Sequence, residues 1–389
     1  MRRWVVLALA LALSACAGRP EGNLISFGAS VPGASRVDML VATTRAPVAA
    51  PPGVMFGGER GRGLSFADIA VSIPPDAVRK VGDVQWPAHL PGDPGHDFVT
   101  LRADRMELAQ AKALFHKRIS ANPGRHVLVF VHGYNTRFEE AVYRFAQVTH
   151  DSGADVVPVL FTWPSRGKAL EYFYDRESAN YSRDGLEALL QALADDKSVR
   201  EVSILAHSLG NYVAVEALRQ MSIRDHGLPA KIGNIMLASP DIDVDVFRRQ
   251  IAEIEGGHKP APITLFVAQD DKALGLSKLI FGDEPRLGAV DPAREPYRGM
   301  LERGSVRVVD LTALATDDPV NHNKFASADV VHSIGLRLAQ GQTLTDAKSN
   351  LGEALGAVAI NATQAVGSVA AKVATAPFEV LEGPRAAPY

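Results

Sequence analysis

The stretch ILAHSLGNY, Ile204 to Tyr212, halts a hydrophobic run at His207 and Ser208 and adds a glycine two residues later. A serine on a sharp strand-to-helix turn is exposed for attack on an acyl carbon, and small neighbours let the two elements approach. Ala206 takes the first small position of this G-x-S-x-G-like pattern and Gly210 the last. The same letters also describe a strand end followed by a serine-capped helix. The remaining parts of an acyl-transfer site separate the two readings: a base, an acid that orients it, and N–H donors for the developing oxyanion. Ser208 is the candidate nucleophile. His207, whose side chain should diverge from that of Ser208, reads as a packing residue.

Each remaining part has a candidate at the end of another apolar run. FVHGYN, Phe130 to Asn135, ends a strand in His-Gly and can turn its backbone towards the serine, so the N–H groups of Tyr134 and Leu209 are the expected oxyanion donors. His132 reads as a structural residue of that loop. PITLFVAQDDKAL sets Asp270 and Asp271 directly after a strand-like run; Asp271 is the preferred acid, with Asp241 of ASPDID as competitor. The base comes last in the order Ser…Asp…His. His322, in the polar loop NHNKF, is preferred to His332, which sits among apolar neighbours in DVVHSIG.

These residues need a scaffold that brings strand ends together. From His126 on, apolar runs alternate with helical patterns: HVLVFVH, then a helix with Phe138, Ala141, Val142, Phe145 and Val148 on one face, then DVVPVLFTW, SRDGLEALLQALADD and VSILAH. Such alternation predicts an α/β fold with a mainly parallel central sheet and helices on both faces, and sites at the carboxyl ends of the strands. Earlier, VDMLVATTR reads as a first strand and PVAAPPGVMFGGERGRG as a Pro/Gly loop. DRMELAQAKALFHKRI reads as a helix capped by Asp104. Gly167 to Tyr181 is the candidate lid. Tyr134, Trp163, Tyr172 and Phe173 line an acyl pocket or pack the core and cap.

Composition narrows the function classes. The 389 residues are 47% hydrophobic and 22% charged, with 41 basic and 44 acidic residues for a net charge of −3, so no basic footprint for nucleic acid stands out. The 11 histidines include no H-E-x-x-H spacing and no Walker-type loop is present, so neither metal nor cofactor is expected. Arg2, Arg3 and the apolar core Trp4 to Leu13 form a signal-peptide pattern too short for a comfortable membrane span. LSAC follows, and Cys16 is the single cysteine. This junction resembles the lipobox of bacterial lipoproteins, which implies lipidation of Cys16. Ala17 stands where an aspartate would signal inner-membrane retention, which leans towards the outer membrane, facing the periplasm. The expected organisation is a signal peptide over 1–15, a tether over 16–36, the catalytic domain over 37–340 and a small-residue-rich tail over 341–389.

FVHGYNTRFEEA, FTWPSRG, DRESANYSRDGLEALLQAL, ILAHSLGNYVAVEAL, ASPDID and DDKAL together resemble the bacterial alpha/beta-hydrolase family known as domain of unknown function 900, over roughly Val37 to Gln340. The resemblance implies an esterase- or lipase-like serine hydrolase acting on small-molecule or lipid esters, with the triad on Ser208, Asp271 and His322. Asn321-His322-Asn323 departs from the Gly-His-Ser run expected there. A non-catalytic envelope binding protein on the same scaffold, and an acyltransferase using the same triad, are the alternatives.

Overall fold

The computed structural model describes residues 21–28, 30–49, 51–256, 262–298 and 306–339. The expected signal peptide, Cys16 and the C-terminal tail lie outside the described residues. Nine strands among those described form one sheet: β1 Ser35–Pro47, β2 Phe56–Ile73, β3 Val99–Met106, β4 His126–Val131, β5 Val157–Thr162, β6 Glu201–His207, β7 Ile232–Ala238, β8 Ile263–Val267 and β9 Val306–Asp310. Their spatial order is β3-β2-β1-β5-β4-β6-β7-β8-β9. The β1–β2 and β2–β3 pairings are antiparallel and every other pairing is parallel. After β4 the chain adds β5 on one side, then returns to lay β6 on the other. The order therefore reverses between β4 and β6, where open α/β sheets form their crevice.

The described helices are α1 Leu108–Ala121, α2 Phe138–Ser152, α3 Tyr172–Asp195, α4 Gly210–Asp225, α5 Val244–Glu255, α6 Lys272–Ile280 and α7 Ala328–Ala339. After His126, strand β4 is apolar because both of its faces are covered. Val127, Val129 and Val131 enter one core with Phe115 of α1, Leu186 and Leu190 of α3, Leu218 of α4 and Phe247 of α5. Leu128 and Phe130 enter the other with Phe138, Val142 and Phe145 of α2 and Val331 and Ile334 of α7. Helix α2 earns this position by its i, i+3, i+4, i+7 apolar spacing.

Four expectations change. Asp104 lies inside β3 opposite Asp68 and caps nothing; α1 starts two residues after that strand ends, with Glu107 and Gln110 forming its capping box. The second half of the expected Pro/Gly loop is strand: Phe56–Gly63 extends β2 into an arm beside α3. Tyr174 donates to the Gly58 carbonyl and Tyr181 to that of Gly61, while a Cβ on Gly61 would stand 2.8 Å from the Arg45 carbonyl oxygen, so glycine suits the close contact. The candidate lid is mostly helix, since α3 begins at Tyr172 and buries Tyr172 and Asp175. Part of the expected tether is packed: the Asn23 carbonyl accepts from Thr100 at 2.9 Å and Tyr143 at 3.0 Å, and Leu24 enters the core.

Candidate active site

Ser208 follows β6 directly, with φ of +53°. A non-glycine residue in the left-handed region costs about 1–3 kcal/mol and persists only where its surroundings over-determine it. Here the Ser208 N–H donates to the Ala238 carbonyl at 2.9 Å. Its carbonyl accepts from Asn211 Nδ2 at 2.8 Å and from the N–H groups of Asn211 and Asp241 at 3.1 and 3.3 Å. Several hydrogen bonds of about 1 kcal/mol each offset the strain.

Two glycines are required by close approach. A Cβ on Gly133, after β4, would stand 2.8 Å from Ser208 Cβ and 3.0 Å from His207 Nδ1. One on Gly210 would collide with the His132 carbonyl oxygen. The loop after β4 and the turn after β6 are thus pressed together at the point where the strand order reverses. Leu209 is the N-cap of α4, and its N–H has no hydrogen-bond partner among the described residues. Tyr134 follows Gly133, and its hydroxyl donates to the Ala169 carbonyl.

His322 and Asp271 meet across the ends of β8 and β9, at 2.7 Å between Nδ1 and Oδ2. A carboxylate only accepts, so Nδ1 carries the proton and Nε2 presents its lone pair. Asp271 also caps α6, its Oδ1 accepting from the Leu274 N–H at 3.0 Å. Burial alone pushes the His322 imidazole down, but the hydrogen bond and charge of Asp271, with Asp241 and Asp318 adding, outweigh it and hold its pKa above the usual value. His207 Nε2 and Ser239 Oγ each reach the His322 carbonyl at 3.2 Å, which ties this loop to the elbow. Ser208 Oγ and His322 Nε2 do not bond each other here; neither has a hydrogen-bond partner among the described residues.

None of the other candidates hydrogen-bonds the His322 ring. Asp270 accepts from both Lys324 Nζ and Asn321 Nδ2. Asp241 is enclosed by Tyr172 at 2.6 Å, Ser277 at 2.7 Å and Arg286 at 2.7 Å. His332 is exposed on α7. The departure at Asn321 has a backbone reason: its φ is +58°, a conformation glycine adopts freely and asparagine tolerates better than other side chains.

His132 is fully enclosed. Its Nδ1 donates to the Gly133 carbonyl at 2.8 Å, its Nε2 accepts from the Trp163 N–H at 3.1 Å, and its ring stacks on Trp163 at 4.9 Å. Burial, reinforced by the Arg45 guanidinium, pushes its pKa down to about 3. A cleft of about 270 Å³ opens beside these groups, and Gly133, His207, His322, Trp86 and Arg144 are among its lining residues. Ser208, 4% exposed, is not part of that lining.

The family described as "Alpha/beta hydrolase of unknown function (DUF900)" matches residues 107–339, well over half of the chain. The chain belongs to this family. An uncharacterized protein of Nostoc sp. is 24% identical over 135 residues, which span 28% of this chain and 35% of that relative. A lipase-esterase related protein from Clostridium acetobutylicum superposes with a TM-score of 0.32 at 10% identity, covering 56% of this chain and 95% of that one. The RedJ thioesterase of the prodiginine pathway in Streptomyces coelicolor gives a TM-score of 0.23 at 16% identity, with coverages of 38% and 68%.

Sequence reasoning missed the groups that hold the loops of this site. Arg45 is buried and donates to the carbonyls of Gly57 at 3.0 Å and of Thr136 and Ser165 at 2.8 Å. Asp175 accepts from the Asn135 N–H, Ser165 Oγ and the Arg166 N–H, joining three segments. Lys324, with its side chain 1% exposed, reaches Asp270 and the carbonyls of Leu311 and Thr312. The available signal was a charged residue beside an otherwise apolar strand or loop.

Proposed function

We propose that the protein is a serine hydrolase of carboxylic esters, with Ser208 as nucleophile, His322 as base and Asp271 as the orienting acid. The observation that carries this reading is the 2.7 Å Asp271–His322 bond in a loop tied to a left-handed serine at the strand-order reversal. In the proposed reaction, His322 Nε2 takes the Ser208 proton as Oγ attacks the ester carbonyl. The N–H groups of Leu209 and Tyr134 receive the oxyanion, the alcohol leaves with the proton from His322, and water then releases the acyl group by the same route. Asp271 keeps the imidazole in the required tautomer and stabilises the imidazolium.

The test is a fluorophosphonate probe and a panel of short-chain aryl esters. The wild-type chain should be labelled and active. Ser208→Ala should lose labelling and more than about a thousandfold of turnover, with its thermal unfolding nearly unchanged. Wild-type turnover in Ser208→Ala would reduce the elbow to a capped strand end.

We further propose that the enzyme is lipid-anchored through Cys16 at the bacterial outer membrane, facing the periplasm, and acts on small-molecule or lipid esters. The support is the LSAC junction after a short apolar core. Cys16→Ser should abolish palmitate incorporation and move the protein out of the membrane fraction. Unchanged incorporation would reject the anchor.

A further inference from the structure

Leu170, Phe173, Leu276 and Leu279 are 91%, 67%, 60% and 70% exposed. Leu276, Leu279 and Ile280 stand at i, i+3 and i+4, one outward stripe of α6, while Leu274 and Ser277 of the same helix are buried. Phe281 joins this stripe to the start of α3, its ring 6.4 Å from that of Phe173 and 5.4 Å from that of Tyr172. The Tyr172 ring is in turn 4.9 Å from that of Tyr134, next to Gly133 at the elbow. Single exposed leucines are ordinary; several large apolar residues on two adjoining segments at the edge of a site mark a contact surface.

The entry point of the chain indicates what covers that surface. Glu21 pairs with Arg137 at 3.0 Å. Arg137 Cγ lies only 2.5 Å from where a Cβ on Gly167 would stand. The N-terminal segment therefore arrives within one side chain, that of Arg137, of Gly167, and Asn23 and Leu24 fix its course against Thr100, Tyr143 and Gly53. Cys16 precedes Glu21 by five residues, a reach of at most about 18 Å. An acyl group on Cys16 would hold the face carrying Leu170 and Phe173 against the bilayer.

We infer that Leu170, Phe173, Leu276, Leu279 and Ile280 form a membrane-docking surface that seats the apolar edge of the site among the acyl chains of a phospholipid leaflet. The inference rests on the lipid-anchor reading for its orientation. Partial insertion of large apolar side chains adds to a lipid anchor in proportion to the apolar area removed from water.

The experiment places the full-length protein, isolated from membranes, in vesicles of phosphatidylethanolamine and phosphatidylglycerol. The vesicles also carry a phospholipid with a photoactivatable diazirine in its acyl chain. Mass spectrometry should find lipid adducts on the peptides carrying residues 170–173 and 276–281. None should appear on the peptide carrying exposed Lys197, before the amino end of β6. Leu276→Asp combined with Leu279→Asp should reduce the adducts on both segments at least tenfold. Adducts absent from both segments, or as frequent at Lys197, would overturn the docking surface. So would chain-to-chain crosslinks at the stripe in lipid-free detergent, which would assign it to a second copy. The same digest reads the mass of the Cys16 peptide. Adducts without an acyl mass would uphold the surface and remove only the anchor. An acyl mass without adducts would remove only the surface.

Discussion

Two histidines stand at the carboxyl end of this sheet, the buried His132 after β4 and the half-buried His322 in the loop between β9 and α7, and their proton affinities move in opposite directions. Burial disfavours the imidazolium at both. At His132 the nearest charge is the Arg45 guanidinium, which adds to burial and leaves the ring neutral down to a pKa of about 3. At His322 the nearest charge is the Asp271 carboxylate, which overturns the burial penalty and raises the pKa. One ring is thereby a fixed hydrogen-bonding strut between Trp163 and Gly133, and the other is the one that takes and returns a proton in the proposed reaction. The partner's charge, more than the burial, divides scaffold from chemistry here.

The largest expected effect comes from turning the second histidine into something like the first. Asp271→Asn keeps an oxygen that can cap Leu274, so the cost in stability should be small. It removes the charge beside Nδ1 and can present an N–H₂ group there, favouring the wrong tautomer. Turnover of aryl esters should fall about a thousandfold or more. The wild-type rate should rise with pH through a midpoint above 6.5, because the carboxylate holds the proton on His322 and only the neutral ring acts as base. In Asp271→Asn the residual activity should show that midpoint displaced downwards. An unmoved midpoint would assign the limb to another group.

An intermediate effect should appear in stability. His132 has a folded pKa below its unfolded value, so its contribution is present above pH 6.5 and is lost as pH falls towards about 3. The slope from this residue is about 1.4 kcal/mol per pH unit. His322 has the opposite sign: its raised pKa contributes stability below its unfolded value that is lost as pH rises through the folded one. Urea midpoints measured between pH 4 and pH 7 (about the span where unfolded His gains its proton) should therefore fall less steeply in His132→Asn than in wild type. Above pH 6.5, His322→Gln should lack the decline that wild type shows as pH rises through the folded His322 midpoint. Parallel curves for all three proteins would break the contrast.

The sequence made the strand ends easier to read than the loops between them. Ser208 stood out because an apolar run met small residues at fixed spacing, and Asp271 because it followed another such run. The parallel part of the sheet was legible for the same reason: β4 and β6 are covered on both faces and have no alternation to confuse with a surface strand. The β2 arm was hidden by its glycines, whose role depends on Arg45 and α3 packing against them from distant segments. Arg45, Asp175 and Lys324 were hidden because long-range hydrogen bonds give them their meaning, and no local spacing announces such a bond. The extent of α3 was obscured by the polar and aromatic mix of Tyr172 to Tyr181, which buries Asp175 against three loop donors instead of presenting an apolar stripe.

The smallest effect should come from the neighbouring carboxylate. Asp270 receives Lys324 Nζ at 2.9 Å on each oxygen and Asn321 Nδ2 at 2.7 Å, so it acts on the loop around His322 and not on the ring. Its side chain is 39% exposed, which weakens the ion pair through solvent screening, whereas that of Lys324 is 1% exposed. In Asp270→Asn the ammonium keeps the Leu311 and Thr312 carbonyls at 3.0 and 2.9 Å. The N–H groups of His322 and Asn323 remain on Asp318 at 2.9 and 2.8 Å, and Asp271 retains its hold on Nδ1. The loop should loosen without releasing the base: a stability loss of about 1 kcal/mol, and turnover lowered only a few-fold with the pH midpoint unmoved. Losses equal to those of Asp271→Asn, with a shifted midpoint, would mean that the two aspartates hold His322 jointly, and the assignment of the acid to Asp271 alone would fail.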